Sequence, residues 1–343
     1  MVRSKLCALL VMVGAAACSL SPAFGDAVED FYRGKTLKVV VGYAAGGGFD
    51  AYARLLAEYL PRHLRGTPAA ITQYMPGAAS VKAANYIWGV APQDGTVIGI
   101  PNHALPMNAF ILGEVGDGID VTKFNWIGRL DAIDTVNVAW HTTGIKSIDD
   151  AKKRQVVLGG TSSIGTSVMM PTALNRLTGT QFKIVMGYQG TTEQYLAMER
   201  GELDGVANAI WSQLKRSRPE WLREKKVIPL YQDGYERSSD LADVPTLVEL
   251  AGNDEDRKVL RLLANTSAVG RSFYVGPQVP ADRVAALRQA FTDMTQDADF
   301  KAAADQLQIV LNPMAGTKLQ AMIVELGTYP NSLIERTRML VAQ

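Results

Sequence analysis

Residues 36–50, TLKVVVGYAAGGGFD, place a β-branched apolar run directly before three consecutive glycines and an aspartate. An apolar run of this kind predicts a strand that is buried on both faces, as in parallel sheets. From Asp50 onward, apolar residues recur with the period of an amphipathic helix, and Pro61 closes or kinks that helix. Asp50 is placed to cap the helix start. The stretch therefore predicts a strand, a glycine-rich turn and a helix.

The same alternation of strands and helices continues along the chain, which is typical of α/β lobes with mainly parallel sheets. Further strands are predicted over 69–74, 96–101, 126–140, 155–160, 182–187, 205–210, 227–231 and 268–276. Further helices are predicted near 78–90, 147–153, 168–178, 192–200, 212–223, 281–296 and 316–342. The long strands over 126–140 and 268–276 interrupt the alternation. We interpret them as crossings between two lobes, and ordinary sheet strands are the alternative.

The first 25 residues have the features of a secretory signal peptide. Arg3 and Lys5 precede an apolar run over 6–17, and small residues follow up to Gly25. The run is shorter than the roughly 20 residues that a membrane helix requires. We therefore predict cleavage after Gly25 and export of a soluble protein to the periplasm. A lipoprotein signal with a lipid anchor at Cys18 is the alternative.

The cysteines and the charge balance exclude several functions. Cys7 and Cys18 are the two cysteines of the chain and both lie in the predicted signal peptide, so the rest has no thiol nucleophile or thiolate metal site. The 35 basic and 34 acidic residues nearly balance, which gives no electrostatic case for binding nucleic acid or a membrane surface. The length of 343 residues suggests two domains. We expect a monomer without a cofactor.

Two further turns rich in glycine and hydroxyl groups follow predicted strands. The first, residues 159–166, enters a helix that begins nearby, because Pro171 is tolerated only close to a helix start. The second, residues 187–190, leads into Thr191 and Gln194, which have the spacing of a capping box. All three turns lie at the C-terminal ends of strands, where open α/β sheets bind ligands through glycine backbone and helix N-termini. Such turns also occur as simple tight connections.

No catalytic motif accompanies these turns. The turn at residues 43–50 lacks the Gly-Lys-Ser/Thr ending of a P-loop. Neither G-x-G-x-x-G nor a nucleophile elbow occurs in the sequence. His63, His103 and His141 form no metal-binding pair, although His103 is a candidate for a ligand cleft. Asp50 and Asp204 are better suited as fixed hydrogen-bond acceptors than as an acid–base pair. The sequence therefore indicates a binding protein rather than an enzyme.

Nine short stretches occur in a specific order that covers nearly the whole predicted mature chain. They are residues 39–50, 53–57, 75–78, 91–95, 161–166, 188–190, 201–204, 243–247 and 279–281. In this order they resemble the receptor components of tripartite tricarboxylate transporters, the TctC or Bug family of periplasmic solute-binding proteins.

The resemblance implies a type II periplasmic-binding-protein fold. Two α/β lobes, each with a mainly parallel sheet flanked by helices, would be joined by two crossing strands and close on a ligand like a flytrap. Accordingly, we place the signal peptide at 1–25, domain 1 at 26–137 and 266–343, and domain 2 at 138–265. The implied function is capture of a small organic acid for a tripartite tricarboxylate-type membrane transporter. Presentation of the ligand to a membrane sensor kinase is the alternative.

The resemblance also implies that ligand carboxylates meet backbone N–H groups and hydroxyls of the turns in both lobes. The ligand-binding residues carried over position by position are Tyr43, Ala44, Gly47, Gly48, Asp50, Gly77, Asn102, Thr161, Ser162, Ser163, Gly165, Thr166, Tyr188 and Asp204. Two positions depart from the family: residues 168–170 lack a frequent His, and Gln189 replaces a frequent Lys. These departures predict a ligand with few charges beyond its carboxylate, such as an aromatic or monocarboxylic acid. No catalytic or metal-binding residue is expected.

Overall fold

The computed structural model describes residues 27–113, 115, 116, 118–161, 163–188 and 190–342. The predicted signal peptide, Cys18, Ser162 and Gln189 therefore lie outside the described residues. The strands are β1 (Thr36–Val41), β2 (Ala69–Tyr74), β3 (Val97–Ile100), β4 (Asn125–Arg129), β5 (Thr135–Trp140), β6 (Val156–Gly160), β7 (Phe182–Met186), β8 (Gly205–Ile210), β9 (Val227–Gln232), β10 (Ser272–Val275) and β11 (Met314–Ala315).

The helices occupy most of the chain between these strands. They are α1 (Ala27–Tyr32), α2 (Gly48–His63), α3 (Val81–Gly89), α4 (Leu105–Ile111), α5 (Ile148–Lys153), α6 (Thr166–Thr178), α7 (Thr191–Glu199), α8 (Trp211–Ser217), α9 (Pro219–Arg223), α10 (Asp254–Val269), α11 (Ala281–Gln296), α12 (Ala298–Gln306), α13 (Gly316–Leu326) and α14 (Asn331–Val341). Short 3₁₀ turns lie at Ala78–Ser80, His141–Thr143, Ser239–Leu241 and Val248–Leu250. The predicted strand–turn–helix unit at residues 36–63 is confirmed.

Two mixed sheets form the centres of two lobes. The first has the order β11-β4-β10-β3-β1-β2, and the second has the order β7-β6-β8-β5-β9. Strand β1 pairs in parallel with β2 and β3, as β6 does with β7 and β8. Strand β10 runs antiparallel to β3 and β4, and β5 runs antiparallel to β8 and β9. In each sheet this antiparallel strand is the one that the chain enters after crossing from the other lobe.

Two neighbouring segments of chain lead from one sheet to the other. The predicted strand over 126–140 forms β4 in the first sheet and β5 in the second, so it does cross. The predicted strand over 268–276 is shorter in the structure, because helix α10 continues to Val269 before β10 begins. The crossing segments bond to each other: Leu130 N–H donates to the Arg271 carbonyl at 3.0 Å, and Arg271 N–H donates to the Asp131 carbonyl at 2.8 Å.

Gly270 allows these two segments to lie so close together. Its φ of +52° is a conformation that favours glycine, and a Cβ at this position would stand 2.0 Å from the carbonyl oxygen of Asp131. The connection between the lobes therefore depends on a residue without a side chain.

The hydrophobic core lies on both faces of each sheet. Consecutive residues of β1 face opposite sides of the sheet. Val39 packs with α2 and α11, whereas Val40 packs with α3 and α13. In the second lobe, helix α6 packs against the C-terminal helix α14. Our predicted boundaries give residues 266–343 to domain 1, whereas α14 lies on the second lobe. The helix predicted over 316–342 is divided into α13 and α14 just before Asn331, where Pro330 stands.

Candidate ligand-binding site

A cavity of about 440 Å³ lies between the two lobes and is called the interlobe cavity here. On the first lobe its lining comes from residues that follow β1, β2 and β3, and on the second from β8 and the segments after β6 and β7. The lining residues are Tyr43, Ala79, Asn102, His103, Thr161, Gly165, Thr166, Ser167, Tyr188, Gly190, Thr191, Gln194, Ala207, Asn208 and Ile210. Within the described lining there is no Asp, Glu, Lys or Arg. A ligand there meets hydroxyl, amide and backbone groups.

The structure brings part of the predicted site together in this cavity. The predicted residues in its lining are Tyr43, Asn102, Thr161, Gly165, Thr166 and Tyr188. The predicted residues outside that lining are Ala44, Gly47, Gly48, Asp50, Gly77, Ser163 and Asp204. The predicted set therefore divides into residues that line the cavity and residues that lie outside its lining.

Asp50 belongs to the second group, because its carboxylate holds the glycine turn together. It accepts hydrogen bonds from the Gly46 N–H at 2.7 Å, the Tyr74 hydroxyl at 2.7 Å and the Arg54 Nε at 2.9 Å. Burial alone would raise the pKa of Asp50, but these hydrogen bonds, that of Gly46 first, lower it below its ordinary value. Gly47 is the N-cap of α2, so Asp50 acts from the third helical residue and not from the predicted cap position.

Asp204 is also committed to the fold. Its carboxylate accepts from the Val157 N–H at 2.8 Å, and its own N–H donates to the Val157 carbonyl at 2.8 Å. Its carbonyl accepts from the Trp140 N–H at 2.8 Å. Asp204 therefore joins the ends of β5, β6 and β8 away from the interlobe cavity.

The N-terminus of helix α6 faces the cavity through its first two residues. The helix begins at Thr166, with Gly165 as N-cap, and Thr166 and Ser167 both line the cavity. The first N–H groups of a helix have no partner within it, and the helix dipole places partial positive charge there. This end of α6 is therefore suited to a carboxylate.

A buried polar network fixes the floor of the cavity. The Thr166 hydroxyl donates to Asn208 Oδ1, and the Asn208 amide donates to Asp233 Oδ2 at 2.6 Å and to Thr135 Oγ1 at 2.9 Å. Thr135 in turn donates to Asp233 at 2.7 Å. Asp233 has no exposed surface, and burial raises its pKa to about 6 despite these hydrogen bonds. Asn208 was not predicted as a site residue, although it joins the cavity to this network.

His103 lines the cavity on the first lobe, and its side chain is uncharged. Burial lowers the pKa of His103 to about 3, with a further contribution from the positive charge of Arg271. Its Nδ1 atom has no hydrogen-bond partner among the described residues. The ring stacks on Phe49 at 6.5 Å between centroids, and Phe49 stacks on Tyr43 at 4.5 Å. Neutral His103 therefore offers a hydrogen-bonding group without a charge.

The helix after the third turn begins at a different residue from the one predicted. Gly190 is the N-cap of α7, and Thr191 is the first helical residue, so the predicted capping box between Thr191 and Gln194 is wrong. Gln194 is the fourth helical residue, and its side chain packs over Gly159, where a Cβ would stand 2.8 Å from Gln194 Cγ. Gln194 thereby lines the cavity.

The described residues contain no cluster of three or more His, Cys, Asp or Glu that is able to hold a metal ion. In the same part of the chain, no helix is both long and apolar enough to cross a membrane.

Two mixed α/β lobes around a shared cavity define the periplasmic binding protein fold, and solved structures match it over nearly their full length. A TctC solute-binding protein from Polaromonas is 18% identical with a TM-score of 0.64, covering 89% of this chain and 99% of its own. The periplasmic binding protein BugD is also 18% identical, with a TM-score of 0.64 and coverage of 90% and 98%. MatC from Rhodopseudomonas palustris, solved with bound malate, is 20% identical with a TM-score of 0.63 and coverage of 90% and 99%.

These structures come from the group that the sequence resembles, so the predicted type II periplasmic-binding fold is confirmed, with mixed rather than mainly parallel sheets. A curated relative, the UPF0065 protein in the gbd 5′ region of Cupriavidus necator, is 26% identical over 259 residues. That alignment covers 70% of this chain and 72% of the relative. No protein-family model matches the chain.

Proposed function

We propose that this protein is a periplasmic solute-binding receptor that captures a small organic acid between its lobes and delivers it to a membrane transporter of the tripartite tricarboxylate type. The observation that supports this most directly is the uncharged interlobe cavity, with the N-terminus of α6 at its edge. Its volume of about 440 Å³ lies within the range of about 300–1,000 Å³ typical of small-molecule sites. The TctC and BugD structures are of binding proteins, and we propose no catalytic step.

A carboxylate fits this lining better than a cation or a phosphate. Backbone N–H groups of Thr166 and Ser167 and the hydroxyls around them are donors, and each charge-assisted hydrogen bond contributes about 1.5–3 kcal/mol net. A multiply charged anion would bring charges that the described lining does not neutralise. We therefore propose a ligand with one carboxylate in the interlobe cavity and few other charges. MatC, with the same fold, was solved with malate.

Movement of the lobes is part of this proposal. The lining comes from both lobes, and they are joined by the crossing segments beside Asp131 and Gly270. A ligand that touches both lobes binds the closed form better than the open form, and that difference shifts the equilibrium. Asn108 on α4 already donates to the Ile164 carbonyl of the second lobe at 3.2 Å. Ligand should therefore reduce the radius of gyration measured by X-ray scattering.

A thermal-shift screen across aliphatic and aromatic acids tests the proposal, together with native mass spectrometry for ligand retained during purification. We expect at least one monocarboxylic or weakly charged acid to raise the melting temperature, and its amide or methyl ester to have no effect. Equal binding of the acid and its ester would contradict carboxylate recognition. If no acid bound, the proposed ligand class would be wrong.

Export and the membrane partner are proposed from the N-terminal sequence and the fold. N-terminal sequencing of periplasmic protein should begin at Asp26, whereas a diacylated Cys18 would establish a lipid anchor. Deletion of the gene should abolish uptake of the bound acid. If uptake persisted and only the transcriptional response to the acid were lost, the sensor-kinase alternative would replace the transporter.

A further inference from the structure

Arg271 is a buried cation beside the interlobe cavity that the proposed function does not use. Arg271 directly follows Gly270 in the crossing segment, and it is 4% exposed. The guanidinium lies 4.0 Å from the centroid of the Phe49 ring and 5.4 Å from that of Tyr52. Its Nε and Nη1 atoms have no hydrogen-bond partner, and no carboxylate forms an ion pair with it, among the residues that the structure describes.

The position of this guanidinium favours an anion beside it. A Cβ on Gly48, the first residue of helix α2, would stand 3.0 Å from Arg271 Nη2. The cation therefore lies at the positive end of a 16-residue helix, where the dipole favours anions and opposes cations. Burial of an unpaired charge is strongly unfavourable, and contact with an aromatic ring offsets only part of that cost.

A small cavity of about 30 Å³ adjoins the guanidinium. Arg271 and Gly48 line it from the first lobe, and Ser212 and Arg216 line it from the second. Ile210 lines both this cavity and the interlobe cavity, so the two are neighbours. About 10–15 Å³ suffices for one water molecule, so the small cavity is large enough for one halide ion or one carboxylate group.

We propose that Arg271, Arg216 and the N-terminus of α2 bind one small anion, a halide ion or a single carboxylate group, beside the interlobe cavity. The site is separate from the α6 end described above, and its two arginines come from different lobes. An anion here would therefore also connect the lobes.

Asp131 is the acidic group on the same small cavity. Its Oδ2 accepts a hydrogen bond from the Tyr52 hydroxyl at 2.9 Å. Burial raises the pKa of Asp131 to about 7, although the Tyr52 hydrogen bond and the positive charge of Arg271 act in the opposite direction. A lower pH protonates more of this carboxyl and so weakens its competition with an added anion. We therefore choose pH 6 for the test.

The test measures the melting temperature of the wild-type protein at pH 6 in chloride, bromide and formate. The reference is isethionate at equal ionic strength, because its sulfonate group is too large for the small cavity. We expect the three small anions to raise the melting temperature in a saturable way. Arg271→Gln should abolish this shift and Arg216→Gln should reduce it. Arg223→Gln, which removes an exposed arginine on α9 outside the cavity, should keep it.

A crystal of the wild-type protein soaked in bromide provides a test that does not depend on the folding of a variant. An anomalous peak beside the Arg271 guanidinium is expected. The proposal is overturned if no such peak appears, if the wild type melts equally in all four salts, or if Arg271→Gln keeps the full shift.

Succinate and propionate then distinguish the two sources of the anion, because they differ by one carboxylate. If Arg271→Gln removes only the additional stabilisation by succinate, the site holds the second carboxylate of a ligand. If the variant loses the halide shift and responds to both acids as the wild type does, the site holds a free ion. The halide results do not depend on the organic acids, so failure of the proposed function would not affect them.

Discussion

The Thr166 hydroxyl donates a hydrogen bond to the side-chain oxygen of Asn208, and this bond joins the start of helix α6 to strand β8. Asn208 has a φ of +58° and is held from its other side by Asp233. Asn adopts this left-handed conformation more readily than most residues. These two residues of the cavity lining are thus held in place by the fold itself, which would reduce the entropy lost on binding a ligand.

Substitution of Thr166 by valine should weaken the hydrogen-bond network that holds Asn208 in place. The change removes the hydroxyl and leaves Asn208 Oδ1 without its donor, which should lower the free energy of unfolding by about 0.5–1.5 kcal/mol. Ligand affinity should also fall, because Asn208 is no longer fixed. Thr166→Ser keeps the hydroxyl and serves as the control in denaturant unfolding and calorimetric titration. Equal losses in both variants would show that the methyl group matters rather than the hydrogen bond.

Gly190→Val should block the interlobe cavity without disturbing the fold. Gly190 lines the cavity with a φ of 174°, and a Cβ there meets no atom within 4 Å. The valine side chain would therefore enter the cavity, and the Kd for the acid found in the screen should rise about tenfold or more, about 1.4 kcal/mol.

Gly252→Val is the matched control for this variant. It places the same side chain in open space on the second lobe outside the cavity. Calorimetric titration should show wild-type affinity for the control. If Gly190→Val bound as tightly as Gly252→Val, the ligand would not occupy this cavity.

Asp233→Asn should change how stability depends on pH. The pKa of Asp233 is raised from 3.8 to about 6, so the folded protein keeps this proton to a higher pH than the unfolded chain. This group therefore lowers the stability of the wild type as the pH rises from about 4 to about 6. Asparagine does not titrate, so between pH 4 and 7 the wild type should lose about 2.4 kcal/mol of unfolding free energy relative to the variant.

Urea unfolding of both proteins across this pH range measures the shift. The other titrating groups are common to both proteins and cancel in the difference. At pH 4 the variant should be less stable by about 1–3 kcal/mol, because its amide group opposes the donors that surround Asp233. A difference that stayed constant with pH would mean that Asp233 titrates in the folded protein near its ordinary value.

Gly270→Ala should disrupt the connection between the lobes. Its Cβ would lie 2.0 Å from the Asp131 carbonyl oxygen, so we expect a loss of about 3 kcal/mol or more in unfolding free energy. Gly179→Ala is the control, because Gly179 also has a positive φ, +74°, but a Cβ there meets nothing within 4 Å. That variant should lose only about 1–2 kcal/mol. If both variants lost the same unfolding free energy, the contact with Asp131 would not explain the loss in Gly270→Ala.

The local units of the fold were predictable because their signals are close together in sequence. The apolar run before Gly42 predicts β1, and the glycines after it predict the turn that leads into α2. Each signal lies within a few residues of the element that it predicts. Helix α10 was missed although Asn253 caps it, with its side chain accepting from the Asp256 N–H at 2.9 Å. Its last turns contain the buried polar residues Asn265 and Thr266, which obscure the amphipathic pattern.

The candidate site was predictable only where turns contribute to it. Thr166 and Tyr188 lie in glycine-rich turns and line the interlobe cavity. Asn208 lies within a strand, and its position depends on Asp233 in another part of the chain. Arg271 has no local signal, because its burial arises only when α2 packs beside the crossing segment. Contacts between distant residues therefore explain what sequence patterns did not reveal.

The central position of β10 in the first sheet bears on the order in which the lobes form. Tyr274 of β10 pairs with Gly99 of β3, so the first sheet stays incomplete until the chain has been synthesised beyond residue 275. Strands β5–β9 are contiguous in sequence and need no such late arrival. Because pairings between distant segments form slowly, we expect the second sheet to assemble before the first. In pulsed hydrogen exchange during refolding, amides of β5–β9 should gain protection before those of β3 and β4.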